Sequence, residues 1–360
     1  MDDVREYLGL PTTGGPAGAG VRIAVIDTGI DPAHADLEDA YDEANSRDLS
    51  GSHHGIRDTE MHGTHVAGII AGRGKASSGA YLGVAPESTI IAIKMSEGPE
   101  WEPRRVVRGI FHAMNVGADI INFSAQRFPF ARDLQAPWVF GPPPITDRQF
   151  TRASHQGVLC VVAAGNDGPE LGTVSYPAGM ESVLAVASVW PTTGSLFEES
   201  SRGPFRWSKR VAAESCMSLE DITPWWERWL VKHRMKPDVA APGAEIHAPL
   251  STQIPLPRRH QLGQTAGSYD GEYHEMSGTS QAAAVVSGLA ACLLGYLRAA
   301  KAPMGRNPAA TLRALLRRAA TREGRFAPHE TGAGVLRWAA IQSVADHYIE
   351  SRTYRLRLRR

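Results

Sequence analysis

The sequence predicts an α/β fold: a mostly parallel central sheet flanked by helices on both faces. Three observations carry that expectation. Short runs that are apolar throughout, rather than alternating, recur along the chain, as strands covered on both faces require. Segments of helical length stand between them and supply the crossovers that parallel pairing needs. The chain has 360 residues and is 42% hydrophobic, enough to bury a large core in one domain.

The elements follow in order. Residues 1–20 read as an N-terminal lead-in, rich in Gly and Pro from 11 onward. Residues 21–26 are the first buried strand, 62–73 a helix of small residues, and 89–94 a second strand. Residues 102–116 have helical spacing, with Pro103 suited to a first turn. Strands are expected at 119–123, 158–164 and 182–189, and helices at 279–297, 308–320 and 335–349. The main domain is expected to span 21–350, with insertions near 127–150, 198–235 and 251–273 and a basic tail over 351–360. The first insertion holds Pro142-Pro143-Pro144, the second Trp207, Trp225, Trp226 and Trp229, and the third Arg258-Arg259. There is no internal repeat.

Composition excludes several classes. Lys plus Arg is 38 and Asp plus Glu is 38, so no net charge draws the chain to nucleic acid or an anionic membrane. The three cysteines, Cys160, Cys216 and Cys292, do not make a disulfide framework. Cys160 and Cys292 lie in apolar runs and read as buried thiols. The N-terminus begins Met-Asp-Asp and has no apolar stretch of the signal-peptide kind. The longest apolar run, 282–297, is interrupted by Ser287 and Gly288 and is short for a membrane span. The expectation is a cytoplasmic protein as written; secretion would need a longer precursor.

Three residues carry the chemistry. In open α/β sheets, sites lie beyond the carboxyl ends of strands. Asp27 directly follows the first strand and Asn166 follows the strand at 158–164, so both point to one rim. Ser280 opens the apolar helix, where unpaired backbone N–H groups and the helix dipole favour developing negative charge. A serine hydroxyl needs a base to become a nucleophile, and His62 supplies one. Asp27 would fix the imidazole tautomer and stabilise the imidazolium. Each residue also has a plainer reading: Ser280 as a helix cap, His62 as one of 13 histidines, Asp27 as a turn residue before Thr28-Gly29. The chain order Asp, His, Ser and the flanking residues weigh against three coincidences.

Those flanks are Val25-Ile-Asp27-Thr-Gly-Ile-Asp31 with His34 and Asp36-Leu37, then His62-Gly-Thr-His-Val-Ala-Gly68 and Gly83-Val-Ala-Pro86. Ala163-Ala-Gly165-Asn166, Lys236-Pro-Asp-Val-Ala-Ala-Pro-Gly243 and Met276-Ser-Gly-Thr-Ser280 follow. Over residues 20–340 this pattern resembles the subtilisin-like serine proteases, the subtilase family. The resemblance implies a serine endopeptidase that forms an acyl-enzyme on Ser280, with Asp27 and His62 completing the triad. It implies an oxyanion hole made by Asn166 and the Ser280 N–H, supported by Thr279. It also implies that Ser124, Ala125 and Gln126 pair with substrate backbone and that Ala163, Ala164, Gly165 and Ser175 line the P1 pocket. The expected partners are peptide or protein substrates, with no nucleic acid and no membrane. The first motif lies near the start of the chain, where the family's mature domain begins. This implies unaided folding, a separate inhibitor or folding partner, or a longer parent chain from which the leading segment was removed.

Departures from the family pattern shape further expectations. Gln126 and Arg127 stand where glycines are usual, which suggests restricted substrate choice, for example trimming of a precursor peptide. Ser175 in place of glycine suggests a shallower P1 pocket, and Asp167 beside Asn166 suggests a basic or polar P1. Gln281-Ala-Ala-Ala284 replaces Met-Ala-Ala-Pro, loosening the helix start. The loop 72–80 lacks the Asn and Asp oxygens of the family's calcium loop, so no cofactor is required there; weaker calcium sites elsewhere stay open. Rival readings are weaker. His62 and His65 make a poor zinc pair, Gly74-Lys75 an incomplete phosphate loop, and Gly14–Gly20 precedes the strand a dinucleotide turn must follow. The Trp-rich segment reads as core under a long loop or as a docking surface. A scaffold role for the whole fold is opposed by the intact triad and Asn166.

Overall fold

The computed structural model describes residues 1–11, 15–98, 101–125, 145–205, 235–254, 271–322 and 326–357. The strands β1 (Arg22–Asp27), β2 (Arg47–Asp48), β3 (Thr89–Lys94), β4 (Ile120–Phe123), β5 (Leu159–Ala163), β6 (Leu184–Val189) and β7 (Val239–Pro242) form one sheet in the order β2-β3-β1-β4-β5-β6-β7. Every pairing in it is parallel. A short antiparallel pair, β8 (Ile246–Pro249) and β9 (Tyr273–Met276), stands apart.

Strand residues alternate between two cores, as the period of two demands. Ile23, Val25, Ile90, Ile120, Leu159, Val161, Leu184 and Val186 face one side, where α2 (His62–Ala71), α5 (Thr279–Ala299) and α6 (Pro308–Ala319) pack. Ala24, Ile26, Ile91, Ile93, Ile121, Phe123, Cys160 and Val162 face the other, under α3 (Pro103–Asn115) and α4 (Ile145–His155). Both faces being covered is why these strands read as unbroken apolar runs. α5 is apolar all round because the molecule surrounds it: sixteen of its residues, from Thr279 to Leu297, are buried.

The sheet order places the site. From β1 the chain moves outward to β3 and β2 on one side, then returns to β4 on the other. Between the carboxyl ends of β1 and β4 the connections leave in opposite directions, which opens a crevice. Asp27 is the last residue of β1, and Ser124 and Ala125 follow β4.

Several boundaries depart from the sequence expectation. The lead-in is part of the domain: α1 (Asp2–Leu8) is helical, and Val4, Leu8 and Leu10 are buried in the first core. Residues 145–150 were grouped with an insertion but begin α4, with Phe150 buried against Phe123. The other two expected insertions also have packed flanks: Ser200, Ser201 and Phe205 are buried, as are Ser251 and Tyr273. The last helix, α7 (Trp338–Arg357), runs past residue 349 into the expected tail. Cys160 and Cys292 are buried free thiols, and burial pushes both pKa values up to about 12. Cys216, the Trp-rich run 207–229, Arg258-Arg259, Pro142-Pro143-Pro144, Gln126 and Arg127 lie outside the described residues.

Candidate active site

Asp27 and His62 meet because two backbones touch. At Gly63, in the first turn of α2, an added Cβ would lie 2.2 Å from the Gly29 carbonyl oxygen. Gly29 itself has φ +116°, in the region open to glycine. The contact lets Thr28 Oγ1 accept from the Gly63 N–H at 2.9 Å and brings the His62 ring over the end of β1. His62 Nδ1 then lies 2.8 Å from Asp27 Oδ1. A carboxylate only accepts, so Nδ1 carries the proton and Nε2 is left with a lone pair. Asp27 is buried and also accepts from the Thr28 N–H at 2.7 Å.

A residue the sequence reading missed holds this arrangement. Asp58 is fully buried and accepts from the N–H groups of Glu60 (3.0 Å), Met61 (3.0 Å) and Thr64 (2.8 Å). It also accepts from the hydroxyls of Thr28 (2.9 Å) and Thr64 (2.7 Å). Its carboxylate therefore does at the start of α2 what Met61, with no side-chain cap, does not. The signal was present: an Asp four residues ahead of a helix that opens with His62. Burial opposes the imidazolium, but the charge and hydrogen bond of Asp27, with the field of Asp58, outweigh it and hold the His62 pKa above its ordinary value.

His65, one turn along α2, does not join His62 on a metal. Its Nε2 lies 3.0 Å from both the Ile246 and His274 carbonyls, so it donates into the β8–β9 pair. Burial pushes its pKa down to about 3, which keeps it neutral. Among the described residues no group of three or more His, Cys, Asp or Glu is arranged to hold a metal ion.

Ser280 and Asn166 come together at the amino end of α5. Asn166 Oδ1 accepts from both the N–H and the hydroxyl of Thr279, each at 2.9 Å. Thr279 Oγ1 in turn accepts from the Gly165 N–H at 3.0 Å. This fixes which end of the Asn166 amide is oxygen and sets Nδ2 beside Gly278, where an added Cβ would lie 3.0 Å from it. The Ser280 N–H belongs to the first helical turn, whose amides have no intrahelical acceptor. The Ser280 hydroxyl is turned to the Ser124 carbonyl, to which it donates at 3.1 Å.

A cleft of about 410 Å³ lies beside Asp27 and His62, lined also by Glu60, Met95, Ser96, Trp101, Ser124 and Ala125; Ser280 meets its border through the bond to the Ser124 carbonyl. The residues expected to line a P1 pocket fall elsewhere on the same rim. Ala163 and Ala164 are buried, Ala163 in the sheet core. Ser175 is also buried, and both its N–H (2.9 Å) and its hydroxyl (3.1 Å) donate to the Ala164 carbonyl. Its side chain thus braces the 163–166 segment from beneath. Asp167 is half-buried, its N–H donating to Ser201 Oγ at 3.1 Å.

The arrangement contains an oriented base, a hydroxyl at a helix N-terminus and an amide donor beside it. The model of the Subtilase family matches residues 18–334. Serine protease AprX of Bacillus subtilis is 29% identical over 306 residues, covering 77% of this chain and 57% of that protein. The major intracellular serine protease of the same organism is 34% identical over 188 residues, covering 49% and 53%. The chain thus spans little more than half the length of these relatives. Among solved structures, the S41 psychrophilic protease superposes with a TM-score of 0.66 at 22% identity, covering 93% of this chain and 97% of that one. The epidermin leader peptide processing serine protease of Staphylococcus aureus gives 0.63 at 20%, covering 90% and 75%. These two likenesses establish the fold.

Proposed function

Because the chain belongs to the subtilase family, we propose that it is a serine endopeptidase with Ser280 as nucleophile. The observation that carries this reading is the 2.8 Å bond between His62 Nδ1 and the buried Asp27 carboxylate, at the crevice where β1 and β4 part. It leaves the Nε2 lone pair as the base.

In the proposed reaction, His62 Nε2 removes the Ser280 Oγ proton as Oγ attacks the scissile carbonyl. The carbonyl oxygen becomes an oxyanion, held by Asn166 Nδ2 and the Ser280 N–H at the positive end of α5. The imidazolium then protonates the leaving nitrogen, the C–N bond breaks, and an acyl-enzyme remains. Water, deprotonated by His62, attacks the ester; the acid leaves, and the proton returns to Oγ. Asp27 stays ionised and holds the ring throughout.

Substrate choice is restricted in this reading. Gln126 and Arg127 add bulk where the family usually has glycine. Glu60 puts a carboxylate on the cleft wall near His62, favouring a basic side chain just N-terminal to P1. Trimming of a precursor peptide fits such a cleft better than general degradation. Activity is also proposed to need no calcium at the loop after α2. There Lys75 pairs with Asp39, and Asp36 accepts from the Ala76 N–H (2.9 Å) and the Tyr273 hydroxyl (2.9 Å), so these carboxylates already have partners.

The test is labelling of purified protein with a fluorophosphonate, beside Ser280→Ala and with a calcium chelator present. Labelling that disappears in Ser280→Ala supports the reading; a folded protein that resists labelling overturns it. Cleavage of casein at rates matching the best peptides would remove the restricted-choice element alone.

A further inference from the structure

The resting position of the nucleophile rests on a buried polar ladder. Ser287, two turns along α5, has its hydroxyl 2.9 Å from Asn122 Oδ1 and 2.9 Å from the Ala283 carbonyl. Asn122 Nδ2 donates to Ser124 Oγ at 2.8 Å, and Ser124 Oγ donates to the Ser280 carbonyl at 3.1 Å. Asn122 and Ser287 are fully buried and Ser124 nearly so. Each rung directs a donor toward Ser280, so the end of β4 is locked to the start of α5. The bond in return is the one from Ser280 Oγ to the Ser124 carbonyl, at 3.1 Å. The hydroxyl is thus held by a main-chain acceptor that the ladder prevents from drifting.

That acceptor borders the cleft shared with Asp27 and His62. On the proposed peptidase reading, which this inference rests on, an extended peptide pairing with the chain after β4 brings its own N–H groups to this main chain. A carbonyl accepts two hydrogen bonds, but each draws on the same oxygen's charge. In the proposed reaction the serine hydroxyl gives its proton to His62 Nε2, so it has a second acceptor to turn to.

We propose that the Ser124 carbonyl is a shared acceptor that couples substrate docking to release of the nucleophile. In the resting protein it holds the Ser280 hydroxyl on itself. A peptide N–H that docks there weakens this bond, and the hydroxyl turns to His62. The nucleophile is armed by the substrate's backbone, which discriminates against small acyl compounds that carry no such N–H.

The test separates docking from cleavage. The probe is a small fluorophosphonate, which needs Ser280 but brings no peptide N–H. Its labelling rate is measured alone, with an acetylated dipeptide carboxamide, and with the same dipeptide methylated at every amide nitrogen. Binding of both dipeptides is checked by competition against a cleavable peptide. The carboxamide has cleavable amide bonds of its own, so its integrity is followed by mass spectrometry over the labelling time; its N–H groups are the ones offered to Ser124. It is expected to accelerate labelling about two- to tenfold, the shift set by releasing one neutral hydrogen bond. The N-methylated dipeptide should give no acceleration. Labelling that is unchanged or slowed by the bound carboxamide overturns the coupling while leaving the peptidase reading intact. Labelling that never occurs, or that persists in Ser280→Ala, overturns both.

Discussion

Lowering the pH from 7 to 5 should cost the folded protein about 2 kcal/mol through His65 alone. The Nε2–H of this buried ring is committed to two carbonyls at 3.0 Å, from Ile246 and His274. Its Nδ1, where a second proton would go, is buried and has no hydrogen-bond partner among the described residues. The native pKa is accordingly depressed to about 3 from an ordinary 6.5. In the unfolded chain the ring takes a proton below 6.5, whereas in the native protein it does not. Stability is therefore lost as pH falls from 6.5 toward 3, by about 1.4 kcal/mol per pH unit. At pH 5 that is 1.5 units, hence the figure of about 2 kcal/mol. His62 has the opposite sign: its raised pKa gives stability that is present at low pH and lost as pH rises through the folded value. The assay is urea unfolding of Ser280→Ala, which cannot digest itself, and of the same protein carrying His65→Gln, at both pH values. His65→Gln will lower stability at pH 7, but the slope carries the argument. The loss between pH 7 and 5 should be about 2 kcal/mol smaller in the double variant. Equal slopes would refute the claim that His65 is held neutral by its burial.

Three further outcomes follow from the site. Asn166→Ala should lower kcat by about 10²–10³ with little change in KM, since its amide meets charge that exists only in the transition state; an unchanged kcat would remove Asn166 from the oxyanion site. Asp27→Asn should lower the rate by about 10⁴ and move the acid limb of the labelling profile to lower pH, because Asp27 holds the His62 pKa up; a limb that stays in place would contradict this. Gly63→Ala, whose Cβ would press on the Gly29 carbonyl, should cost about 1–3 kcal/mol in urea unfolding and separate His62 from Asp27; full activity would show that the backbone contact does not set the pair.

The fold and the place of the candidate site were legible where one residue type has one physical use. The unbroken apolar runs gave the sheet because both faces are covered, and the order Asp27, His62, Ser280 with Asn166 gave the rim. Structure was hidden where a residue's partner is remote in sequence. Asp58 looks like any loop acid until Thr28, thirty residues earlier, is placed against it. Asn122 and Ser287 read as a strand residue and a helix residue, and their pairing spans 165 positions. α1 was missed because a seven-residue helix has little periodicity of its own and takes its place from the core it covers with Val4 and Leu8. Ser175 was assigned to a pocket wall, whereas its hydroxyl is spent beneath the Ala164 carbonyl.

The parting of β1 and β4 has a consequence for descendants of this chain. The crevice is produced by the order in which strands were laid down, and no side chain creates it. A copy that lost Ser280 or His62 would keep the crevice and the buried contacts of Asn122 with Ser287 and Ser124 behind it. On the proposed reading, hydrolysis and peptide capture are therefore separable inheritances: a lineage could abandon the first and keep the crevice that serves the second.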